Sequence, residues 1–311
     1  MTGSERSRTV LLVGGGGGLL GRALLEEFSP TWTIRSVHRS PVARESTLGV
    51  RWIAADLAGI RDWGPHLDGV DAVVNVAWYR WGSDPRFRLL FEGLHRLLEA
   101  SRAARVPFVQ VSVPPAPAQL ETGIPYLTYK RRFDGAVRAS GLPYAIVRPT
   151  LMFGPGDVLL GVMLRTIQRY PFFPMFGDGE YRISPVAASD VARLVVDLAA
   201  APPSATLDVG GLASYRYRDV TDRLFELVGK RPRYWHLSPS GGVRLARLLQ
   251  SLGSTRLYAY EVEWLLSDTL ALPPSDRMRG PMRPVEPYLR EEAERLLGRP
   301  VPELGPLAVR A

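Results

Sequence analysis

The chain has 311 residues, 46% hydrophobic and 23% charged, with a formal net charge of +8 and no cysteine. That apolar content supports one sizeable α/β domain with a smaller appendage, and it excludes disulfides, thiolate chemistry and a disordered chain. No apolar stretch reaches the ~20 residues of a bilayer-spanning helix, and the N-terminus lacks the apolar core of a signal peptide, so a soluble cytoplasmic protein without an integral membrane segment is expected.

A short apolar strand at 10–13 runs into five glycines at 14–18, and Leu19, Leu20 and Gly21 then open an amphipathic helix. Gly15, Gly18 and Gly21 give the spacing G-x-x-G-x-x-G: one glycine for a tight turn, one for close approach of backbone to a pyrophosphate, one for helix-on-strand contact. The helix N-terminus offers its N–H groups to the phosphates. A glycine run alone also fits a flexible loop; the strand before it and the helix after it favour the dinucleotide turn.

The second strand, at 32–37, is followed by His38, Arg39 and Ser40. An NAD site carries a carboxylate here for the ribose 2′-hydroxyl, whereas an arginine suits a 2′-phosphate. Arg39 without a carboxylate makes NADP(H) the expected cofactor and NAD(H) the alternative; a solvated loop arginine is the plain structural reading.

Further strand-like runs at 50–54, 71–76, 106–112, 144–147 and 207–209 alternate, in the first half, with helical patterns. The clearest helix, at 85–104, sets Phe87, Leu90, Phe91, Leu94, Leu97 and Leu98 on one stripe, which reads as core or a subunit contact. Such alternation predicts a doubly wound parallel sheet of Rossmann type. Asn75, the only asparagine, ends the fourth strand, and Trp78, Tyr79 and Trp81 after it fit either a wall over nicotinamide or packing contacts. After Gly154-Pro155-Gly156 the alternation breaks down, and loops and short helices around one late strand are expected. The domain reading is a Rossmann domain at 8–156 completed by about 183–214, with a smaller substrate-facing region at 157–182 and 215–311. In that region 241–253 is amphipathic and contains Arg244 and Arg247; core packing is favoured over membrane-surface association.

Tyr126, Lys130 and Asp134 stand four residues apart and share a helix face. A tyrosine with an ordinary pKa of about 10 becomes an acid or base near neutrality when a cation lowers it by roughly one to three units. A surface lysine beside a packed tyrosine is the plain alternative. Only Lys130 and Lys230 among the 39 basic residues are lysines, so an ammonium at 130 points to a chemical requirement that arginine does not meet.

These motifs together resemble the extended or atypical short-chain dehydrogenase/reductase superfamily, whose members include nucleotide-sugar epimerases and dehydratases. The nearest branch is the atypical one related to an NADPH-binding accessory subunit of respiratory complex I. The matching pieces, in order, are the glycine turn, Asp56-Leu57, Asn75-Val76-Ala77, Ser112, Tyr126/Lys130, Arg148-Pro149-Thr150 with Phe153 to Gly156, and 186–191 with Asp190. The resemblance implies Tyr126 and Lys130 as the catalytic pair. It implies cofactor contacts from Gly15, Gly18, Leu19, Leu20, Gly21, Arg39, Asp56, Leu57, Ala77, Ser112, Lys130 and Pro149. In catalytic members a serine or threonine two residues beyond Ser112 bonds the reacting oxygen; Pro114 stands there and cannot donate. Ser112 itself is expected to pair with nearby backbone. Two functions follow: an NADP(H)-dependent oxidoreductase or epimerase-like enzyme on a carbonyl or hydroxyl substrate, and a non-catalytic NADP(H)-binding accessory or sensor protein. A small-molecule substrate and a monomer or homodimer are expected. Scattered basic residues argue against nucleic acid, and the four histidines lack ligand spacing, so no metal is expected.

Overall fold

The computed structural model describes residues 7–15, 17–39, 49–80, 82–253 and 258–307. Trp81, Gly16 and Ser40 of the sequence reading lie outside them. In chain order the first elements are β1 (Arg8–Val13), α1 (Leu19–Phe28), β2 (Trp32–His38), β3 (Arg51–Ala54), α2 (Gly64–Leu67), β4 (Ala72–Asn75), α3 (Asp84–Ala104), β5 (Phe108–Val111), α4 (Ala118–Gly123), α5 (Pro125–Ala139) and β6 (Tyr144–Pro149). The rest are β7 (Met152–Phe153), α6 (Leu160–Arg169), β8 (Phe173–Phe176), β9 (Arg182–Ile183), β10 (Val186–Ala187), α7 (Ala188–Ala200), β11 (Ala205–Val209), β12 (Tyr215–Arg216), α8 (Tyr217–Val228), β13 (Tyr234–Leu237), α9 (Pro239–Ser251), α10 (Ala259–Leu265) and α11 (Val285–Leu297).

Seven strands pair in the order β11-β6-β5-β4-β1-β2-β3, with β1 to β6 mutually parallel. The doubly wound α/β sheet expected from the alternation is the fold. Strand order reverses between β1 and β4, and ligands of open α/β sheets bind outside the carboxyl ends of the strands at such a switch point. Val10 to Val13, Ala72 to Val74, Phe108 and Val109 are all buried, which is why parallel strands covered on both faces read as continuous apolar runs. The stripe of α3 is core: Leu90, Leu94, Leu97 and Leu98 join Leu11, Val13, Val73, Phe108 and Phe133 in one cluster. Arg105, in the left-handed conformation at φ 56, closes α3 with its amide bonded back to Arg102 and Ser101.

The chain divides into two compact units. One comprises residues up to Val113 with Glu121–Arg148 and Ala188–Leu207; the other comprises Pro114–Leu120, Pro149–Ala187 and the described residues from Asp208 onward. The second unit is more regular than the sequence suggested. It contains helices of 10 to 13 residues, α6, α8, α9 and α11, and the two-stranded sheets β7/β10, β9/β12 and β8/β13. Strands of two to four residues carry too little alternation to register as a period. Helix α9 packs on one side only. It packs through Gly242, Val243 and Ala246 on Phe176 and Val262, while Leu248, Leu249 and Leu252 stay exposed. The small residues of α9 form its packing stripe.

Candidate active site

Strand β1 delivers the glycine turn to the switch point. Gly14 adopts φ +89, its amide donates to the Val37 carbonyl of β2 at 3.0 Å, and a Cβ there would stand 2.5 Å from the Ala77 Cα. Only glycine allows that close approach of the two chain segments. The sequence reading passed over Gly14, although its place directly after the strand was a usable signal. A Cβ on Gly15 would strike the Leu12 side chain at 2.3 Å, and one on Gly21 would strike the Gly15 carbonyl oxygen at 2.3 Å. Gly21 therefore sets α1 against the turn. Gly18, the extended residue preceding α1 (φ −87, ψ 162), differs: no side chain caps the helix there, and a Cβ would meet nothing within 4 Å. Open space ahead of a helix N-terminus is where a pyrophosphate is held by backbone N–H groups. The turn thus fits a dinucleotide, with Leu19 half-buried and Leu20 buried in the first turn of α1.

Arg39 is exposed after β2, with its guanidinium carbon 5.3 Å from the centre of the Tyr79 ring. Arg86, on the first turn of α3, lies 4.0 Å from the same ring centre. The sequence reading missed Arg86, which no spacing linked to Arg39. Asp56 is exposed and accepts from the Ala58 amide at 3.0 Å. Leu57 is buried in the core cluster, so its backbone is what it can offer a ligand. Arg96 of α3 fixes this loop by donating to the carbonyls of Ala58 at 2.7 Å and Ile60 at 3.2 Å.

The single asparagine anchors a buried chain of hydrogen bonds. Asn75 accepts from the Ala77 amide at 3.1 Å and donates to Gln110 Oε1 at 2.7 Å; Gln110 Nε2 then donates to the Val111 carbonyl at 3.0 Å. That carbonyl also accepts from Lys130 Nζ at 3.0 Å. The loop leaving β4 and the ammonium on α5 are thereby tied to one rigid network. Gln110, invisible as a polar residue inside an apolar run, was not anticipated.

Helix α5 starts with Pro125 in its first turn and buries Leu127, Lys130, Phe133, Asp134 and Val137. Lys130 Nζ stands 5.2 Å from the Trp78 ring centre and 6.0 Å from that of Tyr126. Burial lowers the Lys130 pKa to about 8, with Asp134 opposing the shift and Arg131 adding to it. Tyr126 is half-buried with its ring edge-on to Phe87, 6.4 Å between centres. Burial raises the Asp134 carboxyl, against the Ser112 hydrogen bond and the charges of Lys130, Arg131 and Arg138.

Ser112 makes the expected backbone pairing, its amide donating to the Val147 carbonyl at 2.7 Å, and its hydroxyl donates in addition to Asp134 Oδ2 at 2.7 Å. Arg131 pairs with the same oxygen at 3.4 Å, and Asp134 Oδ1 has no partner among the described residues. The Thr128 hydroxyl, two residues before Lys130, donates to the carbonyls of Glu121 and Ile124 at 2.8 and 3.1 Å. Its donor is therefore committed and does not replace the one absent at Pro114. Asp190 is buried in the first turn of α7 and pairs with Arg193 at 2.8 Å.

In the second unit, Pro149 is buried at the end of β6, and the Thr150 hydroxyl donates to the Ser184 carbonyl. Asp157 accepts from the amides of Leu159 and Gly161, at the start of α6, and from the Tyr288 hydroxyl. Arg165 pairs with Glu292 at 3.6 Å and Arg182 donates to Ser214 at 3.3 Å. Among the described residues no helix is long and apolar enough to cross a membrane, and no group of three His, Asp or Glu side chains is arranged to hold a metal.

A doubly wound sheet with a glycine turn at its switch point defines a dinucleotide-binding α/β fold. The chain belongs to the NAD(P)H-binding family, whose pattern it matches over residues 14–202. It is 25% identical over 256 residues to a ceramide reductase of Caulobacter vibrioides, covering 80% of each chain. Over 99 residues it is 28% identical to the mitochondrial NADH dehydrogenase [ubiquinone] 1 alpha subcomplex subunit 9 of Arabidopsis thaliana, covering 30% of this chain and 25% of that one. Its fold matches dTDP-glucose 4,6-dehydratase from Bacillus anthracis in complex with NAD, with TM-score 0.66, 17% identity and coverage of 94% and 97% of the two chains. It also matches MoeE5 in complex with UDP-glucose and NAD, with TM-score 0.61, 22% identity and coverage of 84% and 97%.

Proposed function

We propose that this protein is an NADP(H)-dependent oxidoreductase or epimerase-like enzyme acting on a carbonyl or hydroxyl carbon, with Tyr126 as acid–base and Lys130 as its supporting cation. The observation that carries this reading is Lys130: a buried ammonium, held by the Val111 carbonyl, one helical turn from a half-buried tyrosine. Burying a lysine without a carboxylate in direct contact is unfavourable, and a chain that uses arginine almost everywhere retains it here.

When bound, the nicotinamide supplies or accepts the hydride. Gly15, Gly18 and Gly21 with the start of α1 would hold the pyrophosphate, and Arg39 with Arg86 the ribose 2′-phosphate. Asp56 and the Leu57 backbone would border the adenine, with Ala77 and Pro149 along the rest of the dinucleotide. Tyr126 would pass its phenolic proton to the oxygen of the carbonyl being reduced, or take it from the hydroxyl being oxidised. The positive charge on Lys130 would favour the phenolate left behind. Ser112 holds Asp134, which raises the affinity of Lys130 for its proton. Pro114 supplies no donor to the reacting oxygen, which implies slow turnover.

The ceramide reductase relative supports a long-chain carbonyl lipid as the substrate class to assay first, beside nucleotide sugars. NADPH consumption measured with a panel of both classes tests the proposal: turnover with a member that requires Tyr126 supports it. Tight NADPH binding without turnover on any compound would instead favour a nucleotide-binding accessory protein.

A further inference from the structure

Tyr170, Phe172 and Trp235 are about half exposed, at 54%, 45% and 48%, and they occupy two adjoining chain segments of the second unit. Phe173 pairs in parallel register with Tyr234, the Phe173 amide donates to the Arg233 carbonyl at 2.9 Å, and the Phe172 and Trp235 rings meet edge to face at 5.9 Å. Lys230, the other lysine of the chain, fastens the first segment by donating to the carbonyls of Ile167 and Gln168 at 2.8 and 2.7 Å. Such anchoring holds the aromatic rings out on a fixed ledge rather than on a loose loop.

The same segments carry Arg169, Arg231 and Arg233, all exposed and none in an ion pair among the described residues. Strand register places Trp235 on the same face of the β8/β13 sheet as Leu237 and Phe176, the residues on which α9 packs. Helix α9 contains Arg244 and Arg247 and no acidic residue; Arg247 reaches Glu263 at 3.6 Å while staying largely exposed. Its C-terminal half presents Leu248 and Leu249, and Leu252, which caps its C-terminus, is 75% exposed.

We infer that this face docks on the surface of a bilayer containing anionic phospholipid. Arginines without carboxylate partners match phosphate headgroups, aromatic rings settle at the headgroup level, and leucines of a short basic amphipathic helix enter the acyl boundary. A nucleic acid would use the arginines but leave the leucines in water. The inference stands apart from the catalytic reading, since none of these residues belongs to the Tyr126 or glycine-turn machinery.

The test is sedimentation of the full chain with phosphatidylcholine vesicles, with and without phosphatidylglycerol, at low and high salt. The expected result is binding that requires phosphatidylglycerol and weakens with salt. Arg231→Gln and Arg233→Gln should each weaken it about fivefold, and Leu252→Gln about tenfold, with unchanged melting temperatures because all three side chains are exposed. Equal binding to neutral and anionic vesicles, no binding to either, or unaltered binding by these variants would overturn the inference. So would light scattering that shows a dimer dispersed by Leu252→Gln, which would make a second copy of the chain the occupant.

Discussion

Lys130 Nζ donates to the Val111 carbonyl at 3.0 Å, and that carbonyl also accepts from Gln110, which in turn holds Asn75. The one buried lysine of the first unit is thus positioned by the strand ends that border the switch point.

This placement predicts a pH dependence of stability. The Lys130 pKa is about 8 when folded against 10.5 for an ordinary lysine. Below the folded value both states hold the proton, and the folded state carries the full cost of burying it. Between the two values the unfolded state binds more protons, so stability rises with pH, by about 3 kcal/mol at most. Lys130→Met should be more stable than wild type near neutrality, and the difference should shrink as pH climbs from 8 towards 10. Urea unfolding of both proteins across that range checks it; parallel curves would contradict the lowered value.

Glycine-turn variants should separate binding from folding. Gly18→Val places its side chain in open space, so the melting temperature should hold while binding of either dinucleotide is lost. Gly21→Ala, whose Cβ would press on the Gly15 carbonyl, should destabilise by about 1–3 kcal/mol. Calorimetry and thermal melts distinguish the two. Retained binding by Gly18→Val would place the phosphate contact at another glycine of the run.

Arg39 and Arg86, both beside the Tyr79 ring, should make NADPH bind more tightly than NADH. A charge-assisted contact contributes roughly 1.5–3 kcal/mol, about ten- to a hundredfold in affinity. Calorimetric titration should show Arg39→Asp reversing the preference and Arg86→Gln reducing it. Equal affinities for the two cofactors in wild type would refute the assignment.

The fold was legible because its information is local. Parallel strands buried on both faces produce runs such as Val10 to Val13, and α3 repeats its leucines at helical spacing, so β1 to β6 could be placed in order. What escaped the reading depends on contacts distant in sequence. Gln110 meets Asn75, and Arg86 joins Arg39 beside the Tyr79 ring, only after the sheet is assembled, and nothing at Ser112 announces Asp134. The packing side of α9 is set in the same way: amphipathic spacing shows that one face is apolar, while contacts of Gly242 and Ala246 with Phe176 and Val262 decide which side packs. For Tyr126/Lys130, helical spacing and the rarity of lysine sufficed to single out the pair, and the structure adds the depth at which the ammonium sits.

Ser112→Ala should act on stability and leave cofactor affinity alone. Its hydroxyl donates to a buried carboxylate whose other oxygen already lacks a partner, and deleting it should destabilise by about 1–3 kcal/mol. Denaturant unfolding and NADPH titration of the same preparation test this. A loss of affinity at unchanged stability would instead make Ser112 a cofactor contact.

The central claim is that Tyr126 moves a proton. Stopped-flow oxidation of bound NADPH, with a panel of long-chain ketones and nucleotide sugars, measures this step directly on wild type and Tyr126→Phe. Wild type should oxidise the cofactor with at least one compound, slowly for want of a donor at Pro114, since one missing transition-state hydrogen bond typically costs 10²–10³ in rate. Tyr126→Phe should abolish that turnover while keeping NADPH affinity, because the hydroxyl serves the reaction more than ground-state binding. If wild type and Tyr126→Phe oxidise NADPH at the same background rate with every compound, the catalytic assignment fails.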